Sequence, residues 1–227
     1  AHGEIMAFGT MMTILFTWGL QSISATIAPF PTALLAILPA IGVTIGMVLL
    51  MDRSVFRFYR KKRSPPAIFV IASIGVMFVI NGVIRFIIGP GDRNFADGER
   101  YIIKARTFCD ITGLDVGLGI KVSQVITVVI AVTLVIALFW FLQKTRTGKS
   151  MRAYADNVDL AMLSGISPER VVMISWIITG TLATVAGALY GLDKSFKPFT
   201  YFQLLLPLFA AAIVGGIGKP VGAIVGG

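Results

Sequence analysis

The sequence predicts an all-α fold, a polytopic transmembrane helical bundle with about six spans and the start of a seventh. The first observation is compositional: 56% of the 227 residues are hydrophobic, 14% are charged, and the mean hydropathy is +0.86. A soluble domain carries roughly 25% charged residues, so this chain has too little polar surface to face water. The second observation is that the charges are gathered between long uncharged runs.

Each predicted helix corresponds to part or all of one uncharged run. The first run, residues 5–51, would be about 70 Å long as a helix, more than twice a hydrocarbon core of about 30 Å. A turn is therefore expected at Ala28-Pro29-Phe30-Pro31, because proline breaks helical hydrogen bonding. The predicted spans are about 5–27, 31–51, 64–84, 122–143, 171–192 and 198–218, and residues 220–227 open another.

The charge distribution predicts the orientation of these spans. Residues 52–64 hold six Lys/Arg and one acidic residue, and residues 144–170 hold five Lys/Arg and three acidic residues. Residues 85–121 hold six Lys/Arg and five acidic residues over a longer stretch. Cytoplasmic loops are enriched in Lys and Arg, so we expect 52–64 and 144–170 to be cytoplasmic and 85–121 to be a periplasmic loop. Because the basic residues punctuate apolar spans, a net charge of +9 indicates a lipid bilayer partner and no nucleic acid.

Several kinds of chemistry are excluded by residue type. With one cysteine, Cys109, and one histidine, His2, the chain has neither an internal disulfide nor a multi-histidine metal site. Gly148-Lys149-Ser150 is not a nucleotide-binding loop, because that motif needs a glycine where Gln143 stands. We therefore predict no catalytic residues, no cofactor and no metal, and a protein that is not an enzyme.

Local signals predict how the helices begin, end and pack. Between Gly148 and Gly165 the residues favour one short amphipathic helix, which Gly165 would stop; it is either a solvated connector or a helix that docks a partner. Ser167-Pro168-Glu169 predicts the start of the next helix. The pairs Gly42/Gly46 and Gly187/Gly191 have the spacing that lets helix backbones approach closely.

Three ordered motifs carry a resemblance to a known family. The stretch from Thr147 to Asn157, followed by Ala161 and Ser164-Gly165-Ile166, resembles the cytoplasmic loop of branched-chain amino-acid ABC transporter permeases of the LivH type. Ala1-His2-Gly3-Glu4 is similar to a segment that follows the first span in that family. The tract 212–218, with Pro220 and Gly222-Ala223, is similar to its glycine-rich tract. The resemblance covers essentially the whole chain and implies that residues 1–227 form one permease domain cut at both ends.

The resemblance implies a permease subunit of an ATP-driven importer that moves branched-chain, hydrophobic amino acids across the bacterial inner membrane. It further implies a second permease subunit, two cytoplasmic ATPase subunits and a periplasmic substrate-binding protein as partners. By the same analogy, the helix around residues 150–165 is the coupling helix that contacts an ATPase, with Arg152, Asp156, Asn157 and Gly165 as its functional positions.

Other expectations remain open at this stage. Glu4 and Asn81 are candidates for the substrate path, although an interhelical hydrogen bond is the favoured role for Asn81. Loop 85–121 is either a docking surface for the binding protein or a loop without a partner. The alternatives to amino-acid import are an ABC permease for urea or short amides, an ion-coupled secondary transporter and a membrane-embedded enzyme.

Overall fold

The computed structural model describes residues 2–22, 32–62, 64–89, 122–194 and 196–216, together with residues 91, 93, 222 and 226. Within these residues the predicted all-α fold is confirmed, and the β-structure is limited to an isolated bridge between Arg93 and Phe196. The helices are α1 His2–Ser22, α2 Thr32–Met51, α3 Arg57–Lys61, α4 Pro66–Ile88, α5 Val122–Lys144, α6 Arg146–Asp156, α7 Val158–Leu163, α8 Pro168–Asp193, α9 Pro198–Gln203 and α10 Leu205–Val214.

Five of the described helical segments are long and apolar enough to cross a membrane. They are α1, the continuous segment Ala33–Lys61, α4, α5 and α8. The sixth predicted span, 198–218, is described as the shorter pair α9 and α10, which is interrupted at Leu204. The expected turn at Ala28–Pro31, Cys109 and most of loop 85–121 lie outside the described residues.

Helix α1 occupies the centre of the bundle, between α2 and α8. Ile5, Met11 and Ile14 on α1 are fully buried. At the other extreme, no residue in the apolar stretch of α5 is buried. Because apolar side chains facing lipid need no protein partner, α5 and the outer face of α4 are suited to the lipid boundary or to another membrane subunit.

Helices α1 and α8 run parallel and approach each other closely. A Cβ atom on Gly9 would lie 2.8 Å from Thr184 Cα, and one on Gly187 would lie 2.6 Å from the Met6 carbonyl oxygen. The predicted packing role of Gly187 is therefore confirmed. Gly42 and Gly46 behave differently, because both are exposed and no described atom lies within 4 Å of an added Cβ. The packing predicted for that pair is not formed within the described part of the chain.

Threonine hydroxyls inside the spans satisfy themselves locally. Thr10, Thr13 and Thr17 on α1 each donate to the carbonyl oxygen four residues earlier, at 2.7–2.9 Å. Thr44 on α2 and Thr184 on α8 do the same. Since an unsatisfied polar group is costly in a membrane, each of these bonds provides an acceptor for the hydroxyl proton within its own helix.

The loop predicted at residues 52–64 is largely helical, which corrects the sequence prediction. Helix α2 continues through a π-helical turn, Asp52–Phe56, into α3, which ends at Lys61, and α4 begins at Pro66. No glycine or proline stands between residues 52 and 64 to stop the helix, and arginine and lysine are good helix formers. The charges therefore marked the end of the apolar span but not the end of the helix.

Ion pairs and backbone contacts show which connections share an end of the bundle. Arg57 lies 2.8 Å from Glu169, which brings the segment after α2 next to the start of α8. Arg93 exchanges backbone hydrogen bonds of 3.0 and 2.7 Å with Phe196 at the other end. Connections 52–64 and 144–170 thus lie together, as alternation of the spans predicts.

Candidate functional site

The connection between α5 and α8 is a structured segment. We call residues 145–167 the connector segment. Thr145 begins it: its hydroxyl donates to the Phe141 carbonyl at 2.6 Å and accepts the Gly148 N–H at 3.0 Å. Gly148 packs directly on the backbone of Phe141 and Leu142, where a Cβ has no room. A glycine is required here because α6 turns back closely against the end of α5.

The connector segment contains two helices, where the sequence predicted a single one between Gly148 and Gly165. The break is at Asn157, whose φ of −154° and ψ of 112° are extended. Its side-chain Oδ1 accepts the Leu160 N–H at 3.0 Å and caps α7. Asparagine competes with the helix for backbone hydrogen bonds and favours cap positions. The single-helix prediction is therefore wrong, and Asn157 is the residue that divides the segment.

The end of the segment follows the sequence prediction. Gly165 has a φ of +82°, a conformation that glycine adopts without steric cost. Its N–H donates to Met162 O and the Ile166 N–H donates to Ala161 O, both at 3.0 Å, which is the hydrogen-bond pattern of a glycine-terminated helix. Helix α8 then starts at Pro168, as predicted, although the Ser167 side chain makes no capping hydrogen bond.

The four positions singled out from the sequence lie on the surface of this segment: Arg152, Asp156, Asn157 and Gly165 are all exposed. Large apolar side chains are exposed beside them, with exposed fractions of 65% for Leu160 and 85% for Leu163. Contiguous apolar side chains with charged neighbours are typical of a protein-binding surface. The segment therefore presents apolar and charged groups together at the end of the bundle.

The two candidate substrate-path residues meet inside the bundle. Asn81 Nδ2 on α4 donates to Glu4 Oε1 on α1 at 3.0 Å, which is the interhelical hydrogen bond favoured for Asn81. Glu4 is 1% exposed, and its Oε2 is buried with no hydrogen-bond partner among the described residues. Such a carboxyl group is costly to bury. Neither residue lines the two larger apolar cavities, of about 590 and 540 Å³.

Sequence reasoning missed a polar cluster around Asp52. Arg60 binds both carboxylate oxygens of Asp52, at 2.6 and 2.8 Å, and the Trp176 indole N–H donates to Asp52 Oδ1 at 2.8 Å. Asp52 is the one acid among the charged residues of 52–64, and that isolation was the available signal. The cluster ties the π-helical turn to α8.

The geometry can bind, orient and couple helices, and it offers little for covalent chemistry. Among the residues that the structure describes, no group of three or more His, Cys, Asp or Glu side chains is placed to hold a metal ion. Together, the spans and the exposed connector segment define a polytopic α-helical membrane protein with a structured surface at one end.

Comparison with known proteins assigns the family. The family described as "Branched-chain amino acid transport system / permease component" matches residues 1–227, and the chain belongs to it. The resemblance predicted from the sequence is thereby confirmed, as is the expected class, a transport permease and not an enzyme.

Relatives with assigned names agree with this membership. The probable branched-chain amino acid transport permease protein LivH of Methanocaldococcus jannaschii is 28% identical over 205 residues, covering 87% of this chain and 60% of its own length. The high-affinity LivH permease protein of Salmonella typhimurium is 25% identical over 231 residues, covering all of this chain and 71% of its own. The autoinducer 2 import permease LsrC of Photorhabdus laumondii is 32% identical over 100 residues, or 41% of this chain. No solved structure matches.

Proposed function

We propose that this chain is a permease subunit of an ATP-driven importer that moves branched-chain or related hydrophobic amino acids across a bacterial inner membrane. Family membership over residues 1–227 and the names of the LivH relatives support the substrate class. The observation that carries the mechanism is the connector segment, because a plain link between two spans needs neither two capped helices nor exposed leucines.

The connector segment is proposed to be the docking surface for a cytoplasmic ATPase subunit. Arg152 and Asp156 provide charges of both signs for charge-assisted hydrogen bonds. Leu160 and Leu163 provide exposed apolar area, and its burial against a partner is favourable. Asn157 and Gly165 fix where α7 begins and ends, and they thereby set the direction of these side chains. Because α8 starts three residues after Gly165, movement of the segment is passed directly to a spanning helix.

The proposed assembly contains a second permease subunit, two ATPase subunits and a periplasmic substrate-binding protein. ATP hydrolysis takes place in the ATPase subunits, and alternating access of the two permeases moves the substrate. No bond in the substrate is made or broken. The unburied face of α5 offers area for the second permease, and the periplasmic loop 85–121, of which most lies outside the described residues, is the proposed contact for the binding protein.

Glu4 and Asn81 are proposed to lie beside the substrate path. The buried Oε2 of Glu4 is an acceptor with no donor among the described residues. The ammonium group of an amino-acid substrate is a donor that needs such an acceptor. Asn81 would hold the carboxyl group in place through its bond to Oε1. Glu4 is 1% exposed, so the helices around it must move before a substrate reaches it.

The docking proposal is tested by co-purification of the ATPase subunits with the full-length permease. Asp156→Lys combined with Gly165→Leu should abolish ATPase association, because it reverses a charge and forces a left-handed backbone position onto a branched residue. Membrane insertion should be unchanged. Lys61→Gln, an exposed change at the same end of the bundle, is the control and should retain the ATPase. Normal recovery of the ATPase with the double variant would refute the docking role.

Substrate and energy source are tested by uptake into vesicles that contain the complete assembly. Leucine uptake should require ATP and should stop when vanadate is added. Uptake without ATP would favour an ion-coupled transporter. Uptake of urea or short amides in preference to leucine would move the chain to that class of ABC permease.

A further inference from the structure

A cavity of about 350 Å³ lies where the π-helical turn and α3 meet the start of α8. Its charged lining residues come from both sides of this junction. They are Asp52, Arg53, Arg57, Arg60, Glu169 and Arg170. Four arginines against two carboxylates give the cavity a net charge of +2.

The two carboxylates engage only two of the arginines. Arg57 binds Glu169 through Nε and Nη2, at 2.8–3.3 Å, and Arg60 binds Asp52. Arg53 and Arg170 are exposed and form no ion pair with a described acid. The cavity therefore has two uncompensated guanidinium groups, one on each wall, and guanidinium groups are well suited to bind phosphate oxygens.

The surroundings of these two arginines point to a lipid. Arg53 follows the last apolar turn of α2, and Arg170 lies in the first turn of α8, so both are at the boundary between a span and the surface. Leu49 and Met173 also line the cavity. They are four residues before Arg53 and three residues after Arg170, hence on the same helix faces and towards the span. A cavity with arginines at the membrane surface and apolar side chains towards the span matches a phosphate headgroup attached to acyl chains.

We propose that this cavity binds the phosphate group of an anionic phospholipid, with Arg53 and Arg170 as its ligands. Basic pockets between spanning helices are suited to such headgroups. Free phosphate shares the headgroup chemistry, but it makes no use of Leu49 and Met173. The bound lipid bridges α2 and α8 close to the point where the connector segment enters α8. The proposal is independent of which substrate the protein transports.

The test measures phosphatidylglycerol binding to the purified full-length chain in nanodiscs of phosphatidylcholine, by native mass spectrometry. Arg53→Gln with Arg170→Gln should weaken binding about 30-fold, because each basic residue near an anionic headgroup contributes a factor of about five. Lys61→Gln with Lys62→Gln removes the same charge from exposed positions outside the cavity and should change binding less than about twofold. Equal losses in the two double variants would show general surface attraction and overturn the proposal.

Two further measurements complete the test. Trp176 fluorescence reports whether the double variant keeps the neighbouring Asp52 contact; if it does not, the single variants Arg53→Gln and Arg170→Gln replace it, each with an expected loss of about fivefold. Millimolar inorganic phosphate should fail to displace phosphatidylglycerol. Full displacement by phosphate would identify a free anion as the ligand and overturn the lipid assignment.

Discussion

Replacement of Gly187 by alanine is expected to force α1 and α8 apart at their closest contact. The new Cβ would lie 2.6 Å from the Met6 carbonyl oxygen and closer still to the Thr10 hydroxyl. A flexible side chain can move from such a contact, but the backbone of α1 cannot do so without shifting the helix. The shift would also strain the hydrogen bond of 3.0 Å that Tyr201 donates to the Gly187 carbonyl.

The size of the effect follows from two opposing terms. Alanine is better than glycine in a helix interior by up to about 1 kcal/mol, whereas overpacking of a tight contact costs about 1–3 kcal/mol. Gly42→Ala is the matched control, because it gains the helical term at a position with no neighbour within 4 Å. The free energy of unfolding should therefore be about 1–3 kcal/mol lower for Gly187→Ala than for Gly42→Ala.

The measurement is reversible unfolding of the full-length chain in mixed micelles by increasing the mole fraction of dodecyl sulfate. Adding Thr10→Ala to Gly187→Ala should recover only part of the loss, because the Met6 carbonyl oxygen stays in place. Equal unfolding midpoints for Gly187→Ala and Gly42→Ala would refute the close helix crossing. Complete recovery by Thr10→Ala would show that the hydroxyl, and not the backbone, limits the approach.

Three further predictions concern single polar side chains. Asp52→Ala should shift Trp176 fluorescence and lower the free energy of unfolding by about 1–3 kcal/mol, since it leaves the partly buried N–H donors of Arg60 and Trp176 without their acceptor. Asp52→Asn should lose less stability, and unchanged fluorescence and stability in Asp52→Ala would contradict the contact. Asn157→Ala should reduce the hydrogen-exchange protection of α7 by about 1 kcal/mol through loss of its cap, and Asn157→Asp should retain the protection. Equal protection in the native protein and both variants would show that another interaction keeps α6 and α7 separate. Glu4→Gln keeps an acceptor for Asn81 but replaces the free carboxylate oxygen by a donor, so uptake should fall about tenfold or more with an unchanged unfolding midpoint. Normal uptake would remove Glu4 from the substrate path.

Features that depend on local chemistry were predictable from the sequence. Proline at 168 and glycine at 165 act on their own backbone, so the start of α8 and the end of α7 were placed correctly. The close contact at Gly187 was also predicted, because small residues four positions apart leave room for another helix backbone. The same spacing failed at Gly42 and Gly46, since whether a small face is used depends on which neighbour the fold brings to it.

Features that depend on partners distant in the chain were not predictable. Asp52 could not be matched to Trp176, which is 124 residues away, without knowing that α2 and α8 are neighbours. Asn157 was recognised as a functional position, but its side chain competes directly with helix propagation, and composition alone favoured one continuous helix. Charge density marked the boundary of the span at residue 52, where the helix itself goes on to Lys61.

The π-helical turn at Asp52–Phe56 separates two registers on a single helix. A π turn holds one residue more than an α turn, so the side chains that follow it are rotated by about 100° relative to an uninterrupted α-helix. The residues before the turn have the orientation that packs them on α1. After the turn, Arg57 faces Glu169 and Arg60 faces Asp52. Removal of one residue from the turn would leave composition, charge and hydropathy almost unchanged and yet redirect every ionic contact of α3. The extra residue thus rotates the side chains that follow it. One continuous helix can therefore contact the spanning helices before the turn and form ion pairs at the membrane surface after it.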